Sequence, residues 1–184
     1  VEEFLTKPPM AADVIQYQSR YWTLVGKRLP VMRDKTKDDR SYLLTLFAIS
    51  KELEARKEIT STLDIDLAVG LPPEHYEMLK DSFAQYFRRQ ETVRFTYNDK
   101  PFSLMLDHVF VYPQAFGAVV QRAQEMTATS RTFVIDIGGY TSDVLLLRKG
   151  KPDMEFCRSL NMGVITMTNH IAGKVNSLYD ISID

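Results

Sequence analysis

The sequence predicts an α/β protein with mixed sheets flanked by helices. Apolar runs with strand and helix periodicity alternate along the chain, and short-turned strand pairs are inserted between them. No repeat or low-complexity stretch breaks that order. The 184 residues suffice for one large domain or two small ones, and 45% hydrophobic with 26% charged residues is an ordinary globular composition. Lys plus Arg number 23 against 24 Asp plus Glu, so no field favours direct contact with DNA or an anionic membrane. Cys157, the single cysteine, excludes an internal disulfide and fits a reducing, cytoplasmic setting. No apolar run approaches the ~18 residues of a membrane span, and no signal-peptide pattern opens the chain. The first residue is Val rather than Met, and the last follows closely on a helical pattern, so a fragment of a longer protein is expected.

Each element has its own signal. "DVIQYQ" and "YWTLVG" flank Ser19-Arg20, which predicts a hairpin with that turn. "PVMRDKTKDDR" is charged and reads as a solvated loop. In "SYLLTLFAISKELEAR", Leu43, Leu46, Phe47 and Leu53 recur at helical spacing. "LDIDLAV" reads as one buried strand whose ends Asp64 and Asp66 flank, and "GLPPEHY" as the loop after it, with Pro73 opening a helix. Tyr76, Leu79, Phe83, Tyr86 and Phe87 form the apolar face of that helix. Val93, Phe95 and Tyr97 alternate with polar residues as in a half-buried strand, Asn98-Asp99 marks a turn, and "FSLMLDHVFVY" supplies one or two strands. "PQAFGAVVQRAQEM" predicts a helix with Phe116, Val119, Val120 and Ala123 on one side. The strands of "TFVIDIGGYTSDVLLL" follow, then a "KGKPD" turn, the strand "MEFCRSL", and a last helix, "GVITMTNHIAGKVN", with Ile165, Ile171 and Val175 on its apolar face.

The chemistry concentrates in "DIGGYTSD", residues 136–143. Adjacent glycines let a backbone approach a ligand and take positive φ, so that several N–H groups aim at one anion. Asp136, at the end of a buried strand, suits a hydrated Mg²⁺, which keeps most of its waters and takes few carboxylates. Thr141 and Ser142 add hydroxyls. Two readings stand on the residues alone: half of a phosphate–Mg²⁺ site, or a hairpin whose glycines only make the turn.

The pattern D-I-G-G-x-T-x-D-V over residues 136–144 resembles the second phosphate loop of the actin, heat-shock-chaperone and sugar-kinase ATPase superfamily. Its neighbours resemble that superfamily in the same order. "VFVYPQAFGAV" looks like the strand feeding a connecting helix, and "SLNMGVITMTNHI" like the turn where a glycine, here Gly163, packs near nucleotide. Upstream, the hairpin and "GLP" turn are most similar to the plasmid-segregation actins of the ParM/StbA type. The resemblance implies an actin-like (ribonuclease H-like) ATPase fold. Residues 1–130 would be most of a first domain lacking its N-terminal phosphate loop, and 131–184 the start of a second.

The resemblance further implies ATP or GTP with Mg²⁺, self-association into filaments, and an adaptor protein linking them to plasmid DNA. Asp136 would hold the Mg²⁺ water shell, and Gly138, Gly139, Tyr140, Thr141 and Gly163 would line the phosphates. Gln114 reads on its own as an exposed residue at a helix start; by resemblance its amide orients the attacking water. Segregation actins commonly carry Glu there, whereas this chain has Gln as conventional actins do, so positioning rather than proton acceptance is expected. Tyr140 stands where Gly or Thr is usual and is expected to turn outward.

The first phosphate loop, of D-x-G-[NS]-x-x-x-K type, does not occur in the chain, so the chain alone is expected to bind nucleotide weakly and not to hydrolyse it. His75, His108 and His170 show no metal-ligand spacing. Asp143 is expected as a structural acceptor and Cys157 as a core residue. Three other readings stay open: a cell-division or chaperone-type ATPase, a kinase of the same fold, and a non-catalytic interaction module that retains it.

Overall fold

The structure is a computed structural model, and it describes residues 1–8, 13–26, 34–57 and 62–182. The chain forms two compact units: Val1–Val69 with Asp81–Phe110, and Gly70–Lys80 with Val111–Asp184.

The first unit holds a six-stranded sheet in the order β1-β3-β2-β6-β7-β4. Its strands are β1 (Glu2–Phe4), β2 (Val14–Tyr17), β3 (Arg20–Thr23), β4 (Leu63–Asp64), β6 (Val93–Tyr97) and β7 (Lys100–Met105). The hairpin turn between β2 and β3 is Gln18-Ser19, one residue earlier than expected. Both have positive φ and Tyr17 pairs with Arg20, because a two-residue turn that matches strand twist needs two left-handed residues. Asn98-Asp99 makes the same turn between β6 and β7, as its sequence signals.

Helix α1 (Arg40–Arg56) buries Tyr42, Leu43, Leu46, Phe47 and Leu53. Phe47 packs edge-on against Tyr97 of β6 at 6.2 Å between ring centres, and across β6 and β7 Phe95 pairs with Phe102, their rings stacked 5.5 Å apart. Asp39 does not cap α1 with its side chain. Instead the Tyr86 hydroxyl accepts from the Tyr42 N–H at 2.9 Å and donates to the Asp38 carbonyl at 2.7 Å. Of the expected loop at residues 30–40, residues 30–33 lie outside the described residues. Within the remainder, Asp34 and Asp38 fold back onto Thr36 and Arg40.

"LDIDLAV" is two strands rather than one. β4 pairs in parallel with β7, whereas β5 (Leu67–Leu71) pairs with β8 (Val109–Pro113) in a separate two-stranded sheet. Ile65 and Asp66 make the break, and the Ile65 N–H reaches back to the Met105 carbonyl at 3.0 Å. A 3-10 turn (Pro73–His75) then leads into α2 (Tyr76–Phe87), with Pro73 at its first position as expected. Strands β5 and β8 and helix α2 each run from one unit into the other.

The second unit is built on β10 (Ser142–Arg148). It pairs along its length with β9 (Thr132–Ile137) on one side, and with β11 (Lys151–Pro152) and β12 (Arg158–Leu160) on the other. Leu145, Leu147 and Cys157 form its core, against Phe116, Val119, Met126 and Val134. The single helix expected over residues 113–126 is broken into α3 (Phe116–Val119), a 3-10 turn (Val120–Arg122) and α4 (Ala123–Ala128). The strand in "MEFCRSL" is only β12, because Asp153 and Phe156 close a turn through it.

β9 is not buried. It lies at the edge of its sheet, and Phe133, Ile135 and Ile137 are 60–65% exposed along one face. Helix α5 (Val164–Tyr179) likewise buries no residue, so the apolar face expected around Ile171 is open. Periodicity fixes which residues share a face; it does not supply what covers them.

Candidate phosphate-binding hairpin

The β9–β10 ladder sets the site. Ser142 pairs with Ile137, and the Gly138 N–H donates to the Thr141 carbonyl at 2.9 Å, which leaves Gly139 and Tyr140 at the tip. Among the described residues, the N–H groups of Gly139, Tyr140 and Thr141 meet no protein acceptor. The glycines do not work through positive φ as expected; neither is left-handed. They work through close approach. A Cβ on Gly163 would lie 2.4 Å from both the carbon and the oxygen of the Gly139 carbonyl and 2.5 Å from the Tyr140 nitrogen. A side chain at residue 163 therefore cannot coexist with this hairpin.

The start of α5 is bonded to the same loop. The Val164 and Ile165 N–H groups donate to the Gly138 and Gly139 carbonyls at 3.0 and 2.8 Å. The Ser142 hydroxyl donates to the Met162 carbonyl. Two orphan donors of the helix are thus satisfied by the hairpin, and Gly139 and Tyr140 at its tip are exposed. Tyr140 is 40% exposed.

Asp136 is exposed and stands directly across from Asp143. Asp143 is 5% exposed, and its Oδ1 accepts from the Ser159 hydroxyl at 2.6 Å, the structural acceptor expected. Like charges directly opposed on a sheet repel, and a nearby cation relieves that repulsion. Among the described residues no group of three or more His, Cys, Asp or Glu side chains could hold a metal directly. Free amides for an anion and an exposed carboxylate beside them fit a phosphate with a hydrated divalent cation.

Gln114 has contacts of its own, with Leu71 and Gly70. It precedes α3 rather than lying in its first turn, since the left-handed Ala115 (φ 70°) separates them. Its N–H donates to the Leu71 carbonyl at 2.7 Å, and its side chain lies over Gly70. The contacts described join Gly138, Gly139, Thr141 and Gly163 into one constellation; none of them joins Gln114 to it. The sequence assigns Gly70 only a place in the "GLP" turn and Ala115 no role. Gly70 carries a weak signal, a glycine closing an apolar strand; the Ala115 conformation carries none.

The second unit is thus a sheet and helix joined through a glycine hairpin whose carbonyls bond the helix start. Residues 17–117, more than half of the chain, match the family model described as actin like proteins N terminal domain. The chain belongs to this family of actin-like proteins.

Solved structures agree on the fold. An archaeal actin homolog, Ta0583, is similar over 100% of this chain and 60% of its own, with TM-score 0.73 and 14% identity. AlfA from the B. subtilis plasmid pLS32, in its filament, is similar over 99% of this chain and 70% of its own, with TM-score 0.67 and 16% identity. ParM of psk41 in its apo form is similar over 93% and 58%, with TM-score 0.67 and 15% identity. The chain thus spans about 60% of the length of the archaeal homolog. No curated protein matches it in sequence.

Proposed function

We propose that the chain is part of an actin-like ATPase that assembles into nucleotide-dependent filaments and segregates plasmid DNA. The three adjacent amides at the β9–β10 tip, without a protein acceptor among the described residues, carry this reading. They would take phosphate oxygens together with the Thr141 hydroxyl and the backbone of Tyr140, while Gly163 keeps the helix start close behind them. Asp136 would bind the water shell of Mg²⁺. The nucleotide, ATP or GTP, supplies the phosphoryl group to be transferred, and the cation offsets its charge. Gln114 would hold the attacking water through its amide, donating and accepting without being a strong base.

Support also comes from relatives: the archaeal homolog has been solved with ADP and the AlfA filament with AMPPNP. In this reading residues 1–130 are most of a first actin-like domain and 131–184 the start of a second. The protein works in the cytoplasm, where its filaments reach plasmid DNA through an adaptor protein.

The test uses the complete protein. Light scattering and phosphate release are followed after adding ATP, for the native protein and for Gln114→Ala. Filaments should form in both, and phosphate release should fall by about 10²-fold in the variant, as for an attacking water that is no longer held in line. Absence of assembly with every nucleotide would overturn the filament reading.

A further inference from the structure

We propose that Gly70 is a positioning residue for Gln114. The inference rests on the reading above, in which the Gln114 amide orients the attacking water. Three features fix Gln114. Pro113 before it is buried, its own N–H is bonded to the Leu71 carbonyl at 2.7 Å, and Ala115 after it turns left-handed at φ 70°. The backbone is therefore set, and the remaining freedom is in the side chain.

Gly70 limits that freedom. A Cβ there would lie 3.1 Å from the Gln114 Cγ and 3.9 Å from its Cα. Every residue other than glycine has an atom at that place, and it would push the Gln114 side chain off its seat by a few tenths of an ångström or into another rotamer. The amide at the end of the side chain would move further than Cγ does. Water orientation is sensitive to such shifts, because misplacement by about 1 Å can cost 10²-fold in rate. The penultimate residue of β5 thus acts on the chemistry through a second residue, and touches no substrate itself.

The experiment measures steady-state ATP hydrolysis and nucleotide affinity of the complete protein as native, Gly70→Ala, Gln114→Ala and the double variant. Gly70→Ala should lower kcat by about tenfold and leave KM and nucleotide affinity close to native, the signature of a loss confined to the transition state. In the Gln114→Ala background the Cγ is gone, so Gly70→Ala should have no further effect. Equal losses in both backgrounds, a raised KM, or an unchanged kcat beside a Gln114→Ala that does lower it would overturn the proposal alone. Unchanged hydrolysis in Gln114→Ala would overturn the reading beneath it, and the proposal with it. If Gly70→Ala does not fold, the double variant should, since the contact has been removed; failure of both to fold also overturns it.

Discussion

The two compact units solve different problems. In the first, the inward faces of the six-stranded sheet and α1 close over Ile15, Tyr42, Leu46, Phe47 and Leu104, each at most 2% exposed. Arg89 lies 3.7 Å from the centre of the Tyr42 ring and bonds Asp39 at 2.6 Å, so even its cation is absorbed into packing. In the second, the core around Leu145 and Leu147 is small, and Phe133, Ile135, Ile137, Met167 and Ile171 are more than half exposed. What the second unit has instead is close backbone approach at Gly163, a side chain seated on Gly70 and a strained Ala115. Packing stabilises the one; the other commits its sequence to the geometry of a loop.

The contrast breaks most directly by truncating one apolar side chain in each unit. Phe47→Ala should cost about 3–5 kcal/mol, the usual range for emptying a filled aromatic site. Ile135→Ala, at a side chain 63% exposed, should stay within about 0.5 kcal/mol. Urea unfolding of the 184-residue chain compares them. Similar losses for both would mean that the β9 face is covered after all.

Gly163→Ala sharpens the second half of the comparison. Its methyl group would collide with the Gly139 carbonyl and the Tyr140 nitrogen, and overpacking of this kind costs about 1–3 kcal/mol. The damage should be local. Amide exchange at Val164 and Ile165, whose N–H groups bond the hairpin carbonyls, should speed up by about tenfold for each 1.4 kcal/mol lost. Exchange in α1 should not change. An unaltered hairpin would show that the close contact is dispensable.

The same division separates what the sequence makes legible from what it does not. Alternation over Val93, Phe95 and Tyr97 and helical spacing over Leu43, Leu46 and Phe47 placed the core of the first unit correctly, because there burial and periodicity agree. In the second unit the hairpin strands, Gly163 and the order of elements were legible from the motif. The exposure of β9 and α5 was not, since a periodic face looks alike whether covered or bare. The break in "LDIDLAV" escaped because both halves are strands and only their partners differ. The broken helix after Gln114 escaped because a left-handed alanine has no composition signal. Gly70 escaped because its role depends on a side chain 44 positions later, which spacing cannot reveal.

The smallest expected effect lies in the acid stability of the first unit. Asp13 accepts from Lys51 at 2.7 Å and from the Tyr97 hydroxyl at 2.5 Å, and the Lys51 hydrogen bond, then that of Tyr97, holds its carboxyl below the ordinary value of 3.8. A carboxyl depressed in the folded state adds stability above its unfolded value, and that contribution is lost as pH falls through the folded value. The pair is partly solvated, with side-chain exposures of 48% for Lys51 and 22% for Asp13, so the contribution should be below about 1 kcal/mol. Asp13→Asn should therefore lower stability slightly at neutral pH and flatten its decline below about pH 4. Ile135→Ala, which touches no titrating group, should leave that slope as in the native chain. Equal slopes in native and Asp13→Asn chains would remove Asp13 from the acid transition and assign it to other carboxyls.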